Sequence, residues 1–185
     1  MRWRPLAIAI TMILVLGAAL VVTLSPEPIT VLSWTDDQRA IQSYSISTAG
    51  LKDVQAQLVE TWQTALNETE PARFQEELTQ NVLPAMTAYV TTLESLPTQT
   101  EAIARIHGPF AAAWRRTLTT FEASLLAPSA RDGGALLDPL IEQLTGAVEA
   151  GTTYRNALEA LCVQHDITLT TPQTSPTPKP VDGAP

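Results

Sequence analysis

The chain has 185 residues, 11 of them basic and 19 acidic, for a formal net charge of −8. That length supports one domain with a real core, and it leaves no room for a second beside the special segments at either end. The acidic balance, which deepens once Arg2 and Arg4 are set aside, speaks against a nucleic-acid partner, and the single cysteine, Cys162, excludes an intramolecular disulfide.

Residues 1–5 form a short basic end, and Leu6 to Leu24 then run without a charge to a Ser-Pro-Glu-Pro stretch. As a helix, that run spans roughly 28 Å against a hydrocarbon thickness of about 30 Å. Arg2 and Arg4 ahead of it, with Trp3 suited to the interface, orient the N-terminus to the cytoplasm. The expectation is an uncleaved signal-anchor over 6–24, a linker over 25–32 and an extracytoplasmic bulk, that is, a single-pass protein of the cell membrane. The alternative is a cleaved signal peptide, with Gly17 and Ala19 as the small residues near the cut, giving a secreted or periplasmic chain.

From 33 to 167 apolar residues recur at helical spacing, which predicts an all-α domain. The first stretch opens at Ser33, with Asp36 completing a partial capping box, and runs to about Asn67 through Ile41, Tyr44, Leu51, Val54, Leu58, Trp62 and Ala65, with Gly50 as a point of fracture. The second starts near Thr69, carries Pro71 in its first turn, and presents Phe74, Leu78, Val82, Ala85, Tyr89, Leu93 and Leu96. A capping box from Thr98 to Glu101 opens the third, whose stripe is Ile103, Ile106, Phe110, Trp114, Leu118, Phe121 and Leu125. The fourth is expected to start at Asp138 as N-cap with Pro139 at the first helical position, followed by Ile141, Leu144, Val148, Gly151, Tyr154, Leu158 and Leu161. Short connections between such helices predict an antiparallel up-down-up-down four-helix bundle, in which Pro84 and Pro109 bend neighbouring helices at nearly the same level. The Thr- and Pro-rich segment 168–185 has too few apolar side chains to order itself and reads as a disordered tail.

Few residues invite chemistry. Cys162 and His165 share a helical face, yet they supply two metal ligands where zinc takes three or four, so Cys162 reads as a core residue and His165 as a helix-end residue. In the expected topology His107 and His165 sit at different levels and do not meet. Met86 and His107 fall at nearly the same level on neighbouring helices, the arrangement that could ligate a b-type haem, although a methionine core filler and a histidine beside Gly108 and Pro109 need no cofactor. Asp36, Asp37, Glu94 and Glu101 could share one end. No nucleophile motif is present, and Glu76/Glu77 and Arg115/Arg116 read as solvated faces.

The reading is therefore a non-catalytic, membrane-anchored extracytoplasmic bundle without a cofactor, which binds a protein partner or an envelope component. Its candidate contact is the connection 127–137, where Arg131, Asp132, Gly133 and Gly134 supply polar groups and mobility. A small-ligand, haem or metal-binding bundle is the alternative, and an enzyme ranks last.

Overall fold

The computed structural model describes residues 34–126 and 133–167, and side chains from 139 onward in the second span. The expected anchor 6–24, the linker, Ser33, Arg131, Asp132 and the tail 168–185 lie outside the described residues. Within them every element is helical and there is no strand. No described helix is long and apolar enough to cross a membrane.

The first stretch starts at Thr35 as N-cap, two residues later than the expected Ser33. Its hydroxyl accepts from the Gln38 backbone N–H while the Gln38 side chain accepts from the Thr35 N–H, so two of the helix's orphan donors are satisfied reciprocally. Helix α1 (Asp36–Thr48) gives way to α2 (Leu51–Asn67) through Ala49 and Gly50. There the backbone bonds tighten to three-residue spacing, Ala49 to Ile46, Gly50 to Ser47 and Lys52 to Ala49, so the expected fracture at Gly50 is a change of helical pitch with both residues still right-handed.

Helix α3 (Pro71–Glu77) begins with Pro71 in its first turn, where a missing N–H leaves nothing unpaired that was not already so. It passes through a π turn (Leu78–Val82) into α4 (Leu83–Glu94). The π turn ends with the Leu83 N–H bonded to the Leu78 carbonyl, one residue further back than in an α-helix, directly before Pro84. In a regular helix the Pro84 ring would press on the Gln80 carbonyl and leave it without a donor. The extra residue relieves that conflict locally.

Helix α5 (Glu101–Leu126) continues through Pro109, and its N-terminal cap is Thr100, two residues after the expected Thr98, whose hydroxyl accepts from the Ile103 N–H. Helix α6 (Gly133–Gln164) begins ahead of the expected Asp138, so Pro139 lies inside the helix and Gly133 and Gly134 belong to its first turn. The sequence Ala135-Leu136-Leu137 accounts for this extension. These are strong helix formers, and a proline in the second turn sacrifices only the bond to the Ala135 carbonyl.

Each stretch packs on its neighbour in sequence: α2 on α3, the π turn and α4, α4 on α5, and α5 most extensively on α6. The core collects Ile41, Tyr44, Leu58, Trp62, Leu78, Met86, Tyr89, Leu93, Ile103, Leu118 and Phe121, all essentially inaccessible. Ring pairs tie separate stretches together, with Trp62 on Phe121 at 5.6 Å and Tyr89 edge-on to Trp114 at 4.8 Å. Such pairs add roughly 1 kcal/mol each beyond their buried area. On α6 the buried row is Leu140, Leu144, Ala147, Gly151, Leu158 and Cys162, so Leu144, Gly151 and Leu158 of the expected stripe are buried, while its members Ile141, Val148, Tyr154 and Leu161 are half-buried beside them.

Candidate functional site

All three tyrosines of the chain stand on the apolar stripes, and a phenol hydroxyl in a core must find a partner or bear the cost of losing water. Two of them find it together. Tyr44 from α1 places its hydroxyl 2.9 Å from Nδ1 of His107 on α5 and 2.9 Å from the hydroxyl of Tyr154 on α6. The imidazole lies edge-on to the Tyr44 ring at 5.8 Å, and Phe110, one turn further along α5 from His107, stacks on Tyr154 at 4.8 Å and 13°. Tyr44 is fully enclosed, His107 only 5% exposed and Tyr154 half-buried, so the Tyr44 hydroxyl takes its partners from the protein in place of water.

Counting hydrogens gives the chain a direction. If Tyr154 donates to Tyr44 and Tyr44 donates to Nδ1, both hydroxyl hydrogens are used and the imidazole carries its own on Nε2. In the opposite sense Nδ1–H donates to Tyr44, Tyr44 to Tyr154, and the Tyr154 hydrogen has no acceptor among the described residues. In the first sense it is the Nε2–H that has no acceptor among the described residues, and we take this sense, with the hydrogen on Nε2 as a free imidazole prefers, as the neutral ground state. Burial agrees with it: it pushes the Tyr44 phenol up to about 12, a rise partly offset by the hydrogen bond from Tyr154. Tyr154 is raised further, by burial first and by the Tyr44 phenol second. His107 is held below its ordinary value by burial, against a smaller opposing pull from Glu94 on α4. Glu94 is itself held low by its hydrogen bonds to Arg115.

The stretch Cys162 to Asp166 is a helix terminus. The Ile167 N–H returns to the Cys162 carbonyl at 2.9 Å and the Asp166 N–H to the Val163 carbonyl at 3.2 Å, with Asp166 at φ 56°. These two bonds around a left-handed residue form a Schellman cap, and the residues at the positions of its apolar pair, Cys162 and Ile167, are both buried. The Gln38 side-chain amide of α1 donates to the His165 carbonyl at 2.8 Å, which ties this end to the start of the fold. The Cys162 thiol is buried and pushed up to about 11, by burial and then by Glu159, so it is a poor nucleophile and a poor metal ligand as it stands.

The structure thus brings His107 together with two tyrosines, and places His165 beside Gln38, six residues from Tyr44 and roughly 9 Å away along α1. Met86 is fully buried on α4. Asp36 pairs with Arg39, Glu101 with Arg105 and Glu94 with Arg115, and among the described residues no three His, Cys, Asp or Glu side chains gather as a metal site requires. Tyr89 Oη and Trp62 Nε1 are buried with no hydrogen-bond partner among the described residues, in contrast to the satisfied pair of tyrosines. Sequence reading placed Tyr44 and Tyr154 on stripes without pairing them. The available signal was their hydroxyl groups, which set them apart from the leucines and phenylalanines around them. Compared with known proteins, the chain matches no family model, no curated protein and no solved structure.

Proposed function

We propose that this protein is a non-catalytic, membrane-anchored extracytoplasmic helical bundle that presents the end opposite its anchor to a protein partner or envelope component. The observation that carries the reading is the enclosure of its chemically versatile side chains: Tyr44, His107 and Tyr154 engage one another, and Cys162 serves a helix cap. An up-down-up-down arrangement accounts for the contacts. Residue numbers rise on one helix as they fall on the other between α1 and α6, where Gln38 meets His165 and Tyr44 meets Tyr154, and between α5 and α6, where Phe110 meets Tyr154 and Thr117 meets Gln143. They rise together between the first and third stretches, where Tyr44 meets His107 and Trp62 meets Phe121.

In that arrangement the start of α1, which follows the uncharged run 6–24, lies at the C-terminal end of α6. Gly133 opens the other end, roughly 47 Å away along the helix. The connection bearing Arg131 and Asp132 joins Gly133 to Leu126, whose side chain is 86% exposed. An exposed leucine beside charged residues and two glycines supplies an apolar anchor with a polar rim.

The test uses the full-length chain in its native membrane. It should stay with the membrane through alkaline extraction, and protease added from outside should digest the helical part. A photo-reactive residue at Leu126 should cross-link a discrete partner, while one at Val163, 77% exposed at the other end, should not. Release into the alkaline supernatant refutes the anchor, and equal cross-linking from both ends refutes the contact surface.

A further inference from the structure

Helix α1 is attached differently from the rest of the fold. Of its five buried residues, Ala40, Ile41, Tyr44, Ser45 and Thr48, three carry hydroxyls, and those of Ser45 and Thr48 bond to the helix's own carbonyls. Its apolar hold is therefore Ala40, Ile41 and the Tyr44 ring, where α2 buries Leu51, Leu58, Trp62 and Ala65. What α1 has in addition is polar: Tyr44 to His107 and Tyr154, and Gln38 to the His165 carbonyl. At its other end, Ala49 and Gly50 form a short tightened turn, the kind of mid-helix interruption at which helices pivot. A Cβ at Gly50 would approach only the Ser47 carbonyl, at 3.5 Å, so no side chain is packed against this turn from outside the helix.

We propose that α1 is an acid-released arm: a proton taken up at His107 Nδ1 reverses the Tyr154–Tyr44–His107 hydrogen-bond chain, strands the Tyr154 hydroxyl, and lets α1 swing away from α5 and α6 about Ala49–Gly50. The proton balance is simple. Nδ1 changes from acceptor to donor, the Tyr44 hydrogen turns from Nδ1 toward Tyr154, and the Tyr154 hydrogen is left without an acceptor among the described residues. A half-buried hydroxyl without a protein partner beside a buried cation is the costliest state the cluster can adopt. Detachment of α1 hydrates all three groups at once, and α1 has the least apolar surface to lose.

The groups facing the imidazole from the packed elements set the balance. Glu94 on α4 favours the proton and so eases the trigger, but its carboxylate is already engaged by Arg115 on the imidazole's own helix. Tyr44 on α1 and Tyr154 on α6 are neutral, as are Tyr89 on α4 and Cys162 on α6, both of which lie close enough to Tyr154 to influence it. None of them offers a carboxylate inside the core to hold a charged imidazole in place. The device goes beyond the proposed function and does not depend on the anchor or on the partner surface.

The experiment is amide hydrogen exchange on the full-length chain in detergent micelles, at about pH 8 and about pH 5, corrected for intrinsic rates, with the ring of His107 titrated by NMR in parallel. Amides of 40–48 should lose protection by about tenfold or more on acidification, while those of 113–118 and 140–147 keep theirs. The loss should track the His107 titration, vanish in His107→Gln, and be present at both pH values in Tyr44→Phe. Simultaneous loss of protection in every helix, an α1 response that persists in His107→Gln, or a midpoint displaced from that of His107 each overturns the proposal. If His107→Gln fails to fold, the coincidence of the two wild-type midpoints decides.

Discussion

The same chemical change, Tyr to Phe, should have opposite effects at two core positions. At Tyr44 the hydroxyl makes two hydrogen bonds of 2.9 Å, and its removal leaves His107 Nδ1 unpaired in the core and the half-buried Tyr154 O–H without its protein partner. Each lost bond is worth about 1 kcal/mol net and each stranded group carries its own desolvation cost, so Tyr44→Phe should destabilise by about 2–4 kcal/mol. Tyr89 is equally buried, yet its hydroxyl has no partner among the described residues, so folding strips it of water without compensation. Tyr89→Phe removes that cost and leaves the ring's contact with Trp114 in place, so it should be neutral or stabilising by up to about 1 kcal/mol. The assay is urea unfolding followed by circular dichroism, reading the midpoint at unchanged slope. A Tyr89→Phe variant that loses as much stability as Tyr44→Phe would refute the reasoning, because it would mean that the ring environment and not the hydrogen-bond chain decides the cost.

Other consequences follow from the same geometry. Because His107 is held below its ordinary value in the folded chain, the unfolded chain binds its proton first; stability should be complete above about pH 6.5 and fall as pH drops through the folded value, and His107→Gln should flatten that window in unfolding titrations. Glu94, also held low, contributes a separate loss in a lower window, below the ordinary carboxylate value, which Arg115→Gln should remove. Gly146 lies exposed within α6, and a Cβ added there would meet nothing within 4 Å, so Gly146→Ala should stabilise by about 1 kcal/mol in thermal or urea unfolding. Asp166 occupies the left-handed position of the C-terminal cap, where glycine is the residue of least strain, and Asp166→Gly should raise stability by about 0.5 kcal/mol. The buried thiol of Cys162 should react with iodoacetamide far more slowly in the folded chain than in urea.

The helical class and most of the core were legible in the sequence because a single period carries them. Ile41, Tyr44, Leu58 and Trp62, then Leu78, Val82, Tyr89 and Leu93, recur at steps of three and four and are buried. Helix α6 shows where the period runs out. Two adjacent apolar rows compete there, Leu140-Leu144-Ala147 and Ile141-Leu144-Val148, and the choice between them rests on the surfaces of α5, which no local pattern encodes. The start of α6 moved for a related reason: Asp138-Pro139 makes a good beginning, but Ala135-Leu136-Leu137 makes a better continuation. The π turn was hidden because Pro84 announces a conflict without saying how the backbone resolves it. Of the candidate site, the sequence offered His107 and left out its partners, since Tyr44 and Tyr154 lie 63 residues before it and 110 residues apart from each other. Hydrogen-bond pairing over such separations is a property of the packed chain.

The most direct test of this account is the protonation and tautomeric state of His107, read from the nitrogen and carbon shifts of its ring across pH. The account predicts a neutral ring with its hydrogen on Nε2 and Nδ1 accepting from Tyr44, charging only below the ordinary histidine value. A ring with its hydrogen on Nδ1 at neutral pH, or one that charges at or above the ordinary value, would contradict it.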